Sequence, residues 1–116
     1  MGVTTLGKGL VVTAMSATYY LELGSGTTAF TAADTTLATA ITTTGLARAT
    51  AVATPAATSI MYAHTWTSAS TTTIREVGLF NTATTGGTMF ARTVLTTTRA
   101  LVSGDGYTLQ YTITYA

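Results

Sequence analysis

The sequence contains no cysteine, one proline and one histidine, and 8% of its 116 residues are charged. The absence of cysteine excludes disulfide bonds and thiolate metal sites. An average soluble protein has about 25% charged residues, so other side chains must cover this surface. Five basic and four acidic residues give a net charge of +1. That charge is too small to neutralise a run of phosphates or to hold an anionic membrane, so neither nucleic acid nor a membrane is an expected partner.

Side chains for catalysis and metal binding are also scarce. His64 is the single histidine, and the four acids are Glu22, Asp34, Glu76 and Asp105. General acid and base catalysis, or an activated nucleophile, needs several such groups close together. Calcium needs about six to eight oxygen ligands, usually with several carboxylates. The sequence therefore predicts a protein that is not an enzyme, with no catalytic residue, cofactor or metal site.

Long hydrophobic runs are missing as well. The longest apolar stretch near the N-terminus is Leu10-Val11-Val12. A secretory signal needs about 7 to 15 apolar residues and a membrane-spanning helix needs about 20. We therefore expect neither a signal peptide nor a transmembrane helix.

Threonine and alanine fill much of the chain instead, with 32 Thr and 19 Ala. Thr is β-branched and fits a pleated sheet better than a helix. The clearest strand covers residues 107–115, where aromatic and aliphatic side chains alternate with Thr and Gln. A period of two predicts that Tyr107, Leu109, Tyr111, Ile113 and Tyr115 face the core, and that the alternate residues face solvent or a neighbour.

Further strand-like runs cover residues 19–23, 45–54, 59–67, 74–80 and 88–95, and residues 10–14 form a strand or an extended arm. Asp34 is placed to cap one helical turn near residues 34–41. The chain is therefore predicted to be all-β, as a single antiparallel β-sandwich of jelly-roll or Ig-like type. It has six to seven short strands and at most that one helical turn. Residues 1–14 form an N-terminal arm or edge strand, and residues 15–116 form the sandwich domain.

The runs at 74–80 and 88–95 predict a hairpin whose loop spans residues 81–87. If Phe80 faces Thr88, Glu76 lies directly opposite Arg92 and Gly78 lies opposite Phe90. Both pairings are chemically consistent, because opposite charges attract across strands and an aromatic ring covers a bare glycine. We therefore assign Glu76 and Arg92 a structural role as a pair that fixes the hairpin.

Aromatic and aliphatic residues outside this hairpin suggest a surface for partners. Low charge and many apolar or hydroxyl side chains predict at least one large protein interface. Its candidate residues are Val3, Leu6, Leu10, Val11, Tyr19, Tyr20 and Trp66. Trp and Tyr rings on β surfaces also stack on sugars, which leaves a carbohydrate-binding adhesion module as an alternative from another class. Core or subunit packing is the commoner role of such rings.

Four segments in a fixed order carry a resemblance to a known class of proteins. Residues 24–37 match the pattern "aLGtGttapaasDtaL", with Phe30 where Pro is common. Residues 74–81 match "I-x-E-x-G-L-F-N" and residues 89–94 match "M-x-A-R-T-V". Gly104-Asp105 then precedes the final strand. With these segments the chain resembles small virion structural proteins of tailed bacteriophages and the attachment modules of phage tail fibres.

This resemblance implies a virion structural protein located on the capsid surface or the tail. The leading expectation is a capsid decoration, or cement, protein: a trimer on the outside of the head that binds the major capsid protein and stabilises contacts between capsomers. The alternative within the class is a tail, collar or baseplate component that attaches a fibre and contacts tail proteins. The chain would be made in the host cytoplasm before assembly.

Overall fold

The chain folds into two antiparallel β-sheets, which a computed structural model describes for residues 2–3, 18–56, 59–83 and 88–114. Within these residues there are eight strands and no helix. The strands are β1 (Gly2–Val3), β2 (Tyr20–Gly24), β3 (Ala49–Thr50), β4 (Val52–Pro55), β5 (Ser59–Thr67), β6 (Thr72–Phe80), β7 (Met89–Leu101) and β8 (Gly106–Thr114). The predicted all-β antiparallel sandwich is confirmed.

In the described residues, the two sheets are joined on one side of the sandwich and open on the other. The larger sheet has the order β1-β7-β6-β2-β3, and the smaller has the order β4-β5-β8. On the joined side, Ala51 alone carries the chain from β3 to β4 and so from one sheet to the other. On the open side lie β8 and β7, and β7 pairs with β1 only at Ala91 and Arg92.

Strand β8 shows the predicted alternation of faces. Leu109, Tyr111 and Ile113 are buried and Tyr107 is half-buried. The exposed set is Thr108, Gln110, Thr112 and Thr114. Tyr115 lies outside the described residues. The two faces of β8 are therefore confirmed over the part of the strand that the structure describes.

The hydrophobic core fills the space between the sheets. Leu21, Leu79 and Ile60 are among its members and are at most 1% exposed. The Tyr19 ring packs edge-on against the rings of Tyr62 and Phe90, with centroids 5.6 Å apart in both pairs. Burial of this apolar surface is the main source of stability in a chain that has no disulfide bond.

The β6–β7 hairpin forms, but its predicted register is wrong. Glu76 lies opposite Val94 rather than Arg92, and Gly78 lies opposite Arg92 rather than Phe90. Each pairing over this part of the hairpin is displaced by two residues. An even displacement keeps every side chain on its predicted face. Glu76 and Arg92 therefore share a face as diagonal neighbours.

A one-residue shift at the end of the loop and a β-bulge beside it together cause this displacement. Phe80 pairs with Met89, and the next pair joins Leu79 to Ala91. Phe90 is thus an extra residue on β7, where it packs in the core. A bulge adds one residue to one strand without breaking the alternating pattern of the partner, so the hydrophobic pattern gives no sign of it.

The helical turn predicted near residues 34–41 does not form. The Asp34 amide donates to the Thr31 carbonyl at 3.1 Å, and the Thr31 amide donates to Asp34 Oδ2 at 3.0 Å, which closes a reverse turn. The amides of Ala38 and Thr39 donate to the Glu76 carboxylate instead of to helix carbonyls. Hydrogen bonds to a distant side chain thus replace the local ones that a helix requires.

The remaining sequence predictions are met in part. The run at 45–54 is divided into β3 and β4 at Ala51, and Pro55 is the last residue of β4, an edge strand on which proline is tolerated. Gly2 and Val3 pair with Arg92 and Ala91. The strand predicted at 10–14 lies outside the described residues, and the division at residue 14 stays a prediction.

Candidate functional site

A buried carboxylate holds a long loop on the outer face of the five-stranded sheet. The Glu76 side chain projects from β6 and is fully buried. Its Oε1 accepts hydrogen bonds from the Ala38 amide at 2.9 Å and from Arg92 Nε at 3.0 Å. Its Oε2 accepts from the Thr39 amide at 2.7 Å and the Gly26 amide at 2.8 Å. Both ends of the segment from Gly26 to Thr39 are thereby attached to one side chain.

Arg92 on β7 fixes the middle of the same loop. Its guanidinium is 1% exposed and donates through each of its three nitrogens. Nε contacts Glu76, Nη1 contacts Asp34 Oδ2 at 3.0 Å, and Nη2 contacts the Thr28 carbonyl at 2.6 Å. The predicted structural pair of Glu76 and Arg92 is therefore present as a buried ion pair, and Asp34 and Thr28 extend it into the loop.

Two glycines allow the loop to approach this carboxylate. A Cβ atom on Gly24 would overlap the Glu76 side chain. A Cβ atom on Gly26 would overlap Glu76 Oε2 and the Ala38 side chain. Neither glycine has the positive φ that favours glycine. Close packing rather than backbone conformation is thus the physical reason for these two glycines.

A second ion pair lies beyond this loop, in the segment that leads to β3. Arg48 Nε and Nη2 donate to the two carboxylate oxygens of Glu22, both at 3.2 Å. Arg48 Nη1 donates to the Thr82 carbonyl at 3.1 Å, and the guanidinium lies 3.8 Å from the centroid of the Phe80 ring. These contacts join the segment before β3 to β2 and to the β6–β7 loop.

The sequence segments that carry the virion resemblance meet in this cluster. Residues 24–37 supply Gly26, Thr28 and Asp34, residues 74–81 supply Glu76, and residues 89–94 supply Arg92. Gly104 and Asp105 lie elsewhere, in the turn between β7 and β8. The spacing of the first three segments thus has a common geometric cause, which is the attachment of one loop to one sheet.

The protonation of Glu76 depends on two opposing effects. Burial by itself raises the pKa of the carboxyl, and the hydrogen bonds from Thr39, Ala38, Arg92 and Gly26 lower it. The hydrogen bonds dominate, so the pKa of Glu76 lies below its ordinary value of 4.5. The pKa of Asp34 is lowered as well, first by the hydrogen bond from the Thr31 amide and further by Arg92.

These lowered pKa values predict acid sensitivity. A carboxylate whose pKa is lower in the folded state stabilises the fold above its unfolded pKa, and this contribution is lost as the pH falls through the folded value. The free energy of unfolding should therefore decrease as the pH is lowered below about 4.5, the ordinary pKa of Glu76. Thermal unfolding between neutral pH and pH 3 measures this. A Glu76→Gln variant should show a much shallower decrease, and an equal decrease in both proteins would contradict the assignment.

The remaining acid and the histidine also make structural contacts. Asp105 Oδ2 accepts from the Val102 amide at 2.9 Å and closes the turn between β7 and β8. The His64 ring packs edge-on against Trp66 with centroids 4.6 Å apart. Within the described residues, no group of three or more His, Cys, Asp or Glu is arranged to hold a metal ion. The charged groups described here therefore hold the loop from Gly26 to Thr39 and the turn between β7 and β8 in place.

A cleft of about 420 Å³ lies above the cluster. It is lined by Thr28, Ala33, Asp34, Thr35, Thr36, Leu37, Ala38 and Arg92. The charged groups in it, Asp34 and Arg92, already bind each other. The cleft therefore offers a ligand mainly threonine hydroxyls, which are weakly selective, and its geometry does not define a substrate.

The exposed face of the three-stranded sheet has a different character. Its strands β4, β5 and β8 contain no Lys, Arg, Asp or Glu, whereas the five-stranded sheet contains Glu22, Arg75, Glu76, Arg92 and Arg99. We call this surface the uncharged face. The pairing of the strands places on it Val52, Thr54, Met61, Ala63, Thr65, Thr108, Gln110 and Thr112. Val52, at 69% exposed, is one of two large hydrophobic side chains that are exposed in the described residues.

The residues that the sequence suggested for a partner surface lie elsewhere. Tyr19 and Trp66 are in the core, at 3% and 4% exposed, and the Trp66 indole donates to the Ala47 carbonyl at 2.8 Å. Tyr20 is half-buried on β2. Val3 belongs to β1, and Leu6, Leu10 and Val11 lie outside the described residues. Since stacking on a sugar needs an exposed ring face, Trp66 is not placed for it.

Comparisons with known proteins add no family to this description. No protein-family model matches the chain, and no curated protein matches it in sequence. In the part of the chain that the structure describes, no helix has the length and apolar character needed to cross a membrane. The contacts and surfaces described above therefore carry the argument about function.

Proposed function

We propose that this chain is a structural protein of a bacteriophage virion and acts as a capsid decoration protein. In this role it binds the major capsid protein on the outer head surface and stabilises the contacts between capsomers. Copies of the chain also bind one another, and the resemblance implies a trimer. The proposal combines the ordered sequence segments with the surface that the fold presents.

The uncharged face is the main observation in favour of a docking function. Burying a charged side chain in an interface requires the removal of its water, and charged residues are accordingly depleted at interface cores. The outer side of the three-stranded sheet carries Thr, Ala, Ser, Met, Val and Gln side chains. Such a surface buries against another protein at little desolvation cost. A sheet face of hydroxyl and methyl groups is well suited to this purpose.

The buried cluster supports the same role in a different way. Glu76 and Arg92 attach the loop from Gly26 to Thr39 to the outer face of the five-stranded sheet. Both faces of the sandwich are thereby held by hydrogen bonds, one between its own strands and the other between the sheet and the attached loop. A protein that assembles onto a capsid needs binding surfaces that are ordered beforehand, because ordering a surface on binding lowers the affinity.

Cosedimentation with phage heads tests the proposal. The full-length chain should sediment with heads of the phage that encodes it, and Ala63→Lys should reduce the bound fraction at least tenfold, since an unpaired ammonium would be buried in the interface. Ala63 lies in the middle of β5, the central strand of the uncharged face. Thr98→Lys is the matched control, because Thr98 is exposed on the other sheet. This variant should bind to heads normally.

Copy number separates the two locations within the virion. Quantitative mass spectrometry of purified virions should give hundreds of copies for a head protein, whereas a dozen or fewer would place the chain in the tail, collar or baseplate. A chain that sediments with neither heads nor tails would overturn the virion proposal as a whole. Normal binding by Ala63→Lys would overturn the assignment of the uncharged face.

A further inference from the structure

Strand β8 is an edge strand of its sheet, and one of its edges is free in the part of the chain that the structure describes. Among the described residues, β8 pairs with β5 along its whole length and with no other strand. Backbone N–H and C=O groups on its outer edge are therefore available to another strand over nine residues, from Gly106 to Thr114. Such an edge is a template for the addition of a strand.

The other edges in the described part of the chain are protected and β8 is not. Natural sheets protect their edges with very short strands, proline, charged side chains or bulges. The edge strands β1 and β3 have two residues each, and β4 ends in Pro55. Strand β7, which β1 covers only at Ala91 and Arg92 in these residues, has a bulge and carries Arg99. Strand β8 is long and contains no proline and no charged residue, and its pairing with β5 is regular throughout. The absence of every protective feature on this one edge indicates that a strand covers it in the working protein.

An apolar groove runs beside this edge, on the open side of the sandwich. It has a volume of about 300 Å³ and is lined by Val77, Thr93, Leu95, Leu109, Gln110, Tyr111 and Thr112. At its floor the Tyr111 hydroxyl and Thr93 Oγ1 are 2.7 Å apart and share a hydrogen bond. Burial raises the pKa of Tyr111 to about 12, so this hydroxyl stays neutral. A strand added at β8 would therefore bring its own apolar side chains against this groove.

We infer that the strand that covers β8 is β8 of a second copy of this chain, paired antiparallel about a twofold axis at Gln110. A trimer has a threefold axis, so this pairing is a separate contact from those of the trimer that the resemblance implies. In this register Thr108 lies opposite the partner's Thr112, and Leu109 lies opposite the partner's Tyr111. The polar faces then continue the uncharged face across two copies. The apolar faces close the open side of both sandwiches.

The composition of β8 selects a second copy as the occupant. When a strand pairs antiparallel with its own copy, a charge near the twofold axis lies close to the identical charge of the partner, and like charges across strands are destabilising. Strand β8 has no charge, so self-pairing carries no such penalty. Threonine pairs across strands already occur in this sheet, where Thr65 Oγ1 lies 2.8 Å from Thr108 Oγ1. A pairing of Thr108 with Thr112 across the axis repeats this chemistry.

A single introduced cysteine tests the contact in solution. The native chain has no cysteine, so the full-length variant Gln110→Cys carries one thiol. Directly opposed residues of antiparallel strands have Cα atoms about 4.5 to 5.5 Å apart, which a disulfide can span. Mild oxidation should therefore link most of the Gln110→Cys chains into a covalent dimer. The matched control Thr54→Cys, exposed on the β4 edge, should form no covalent dimer.

Hydrogen exchange on the unmodified chain gives a second measurement that needs no variant. Exchange of the β8 backbone amides should slow as the protein concentration is raised, because association covers the edge. Equal cross-linking of both cysteine variants, or no link at Gln110→Cys, would overturn the inference. Strong protection of β8 in a monomer at every concentration would also overturn it, because the same chain would then cover the edge. These experiments need no phage particle, so their outcome is separate from that of the proposed virion role.

Discussion

Replacing Glu76 with Gln is expected to lower the free energy of unfolding by about 3 to 5 kcal/mol, the range observed when one partner of a buried ion pair is removed. The variant leaves Arg92 charged and buried, and Asp34, its second acidic partner, is partly exposed. The Gln side chain also carries an NH2 group, which is itself a donor, so it cannot accept from all four of the donors that now contact the carboxylate. Urea denaturation followed by fluorescence of Trp66 measures the change.

Glu22→Gln is the matched control for this experiment. Glu22 is also buried, and it accepts hydrogen bonds from Arg48. Each arginine keeps other contacts when its carboxylate is lost, but Glu76 also accepts from three loop amides, whereas in the described part of the chain the contacts of Glu22 come from Arg48 alone. The expected decrease is therefore smaller, about 1 to 2 kcal/mol. Equal losses in the two variants would mean that the loop amides contribute nothing to the stability of the Glu76 cluster.

Truncation of Ile113 to Ala is expected to lower the free energy of unfolding by about 2 to 5 kcal/mol. Ile113 is 2% exposed and pairs with Ile60 across the smaller sheet, so its removal leaves a cavity in the core. Loss of apolar contacts and the remaining cavity both contribute to the effect. Denaturation in urea at a fixed, low protein concentration gives the value.

Thr112→Ala provides the comparison on the opposite face of the same strand. Thr112 is exposed, so its truncation is expected to change the free energy of unfolding by about 0.5 kcal/mol or less. A loss equal to that of Ile113→Ala would show that β8 is buried on both faces under the conditions of the measurement. In that case the faces assigned here would not describe the isolated chain.

Local pattern was sufficient to place β5, β6 and β8, whereas β7 ends six residues later than predicted and the run at 45–54 is divided. The alternation in residues 107–115 predicted which side of β8 is buried, because a period of two assigns successive side chains to opposite faces. Residues 59–67 form β5 with the predicted bounds, and residues 74–80 lie within β6. Sequence reasoning also assigned Glu76 and Arg92 to a structural pair, which the structure shows as an ion pair at 3.0 Å.

The same reasoning failed where distant residues compete with local ones. A one-residue shift at the loop and a bulge at Phe90 displaced the hairpin register, and nothing in the alternation of β6 predicts either of them. Asp34 was expected to cap a helix, but its carboxylate accepts from Thr31 and Arg92. Tyr19 and Trp66 were expected at a partner surface because their strands are aromatic, and the fold places both in the core.

The sequence by itself determined the all-β class, the exclusion of disulfide bonds and the identity of the buried face of β8, since composition and a period of two are properties of neighbouring residues. Tertiary structure alone decided which residues surround Glu76. Three of its donors are backbone amides from a loop 37 to 50 residues away, and every residue has such an amide. The uncharged face and the free edge of β8 were likewise decided by strand order. Pairing between strands depends on the whole fold, and no single segment specifies which strand lies at an edge.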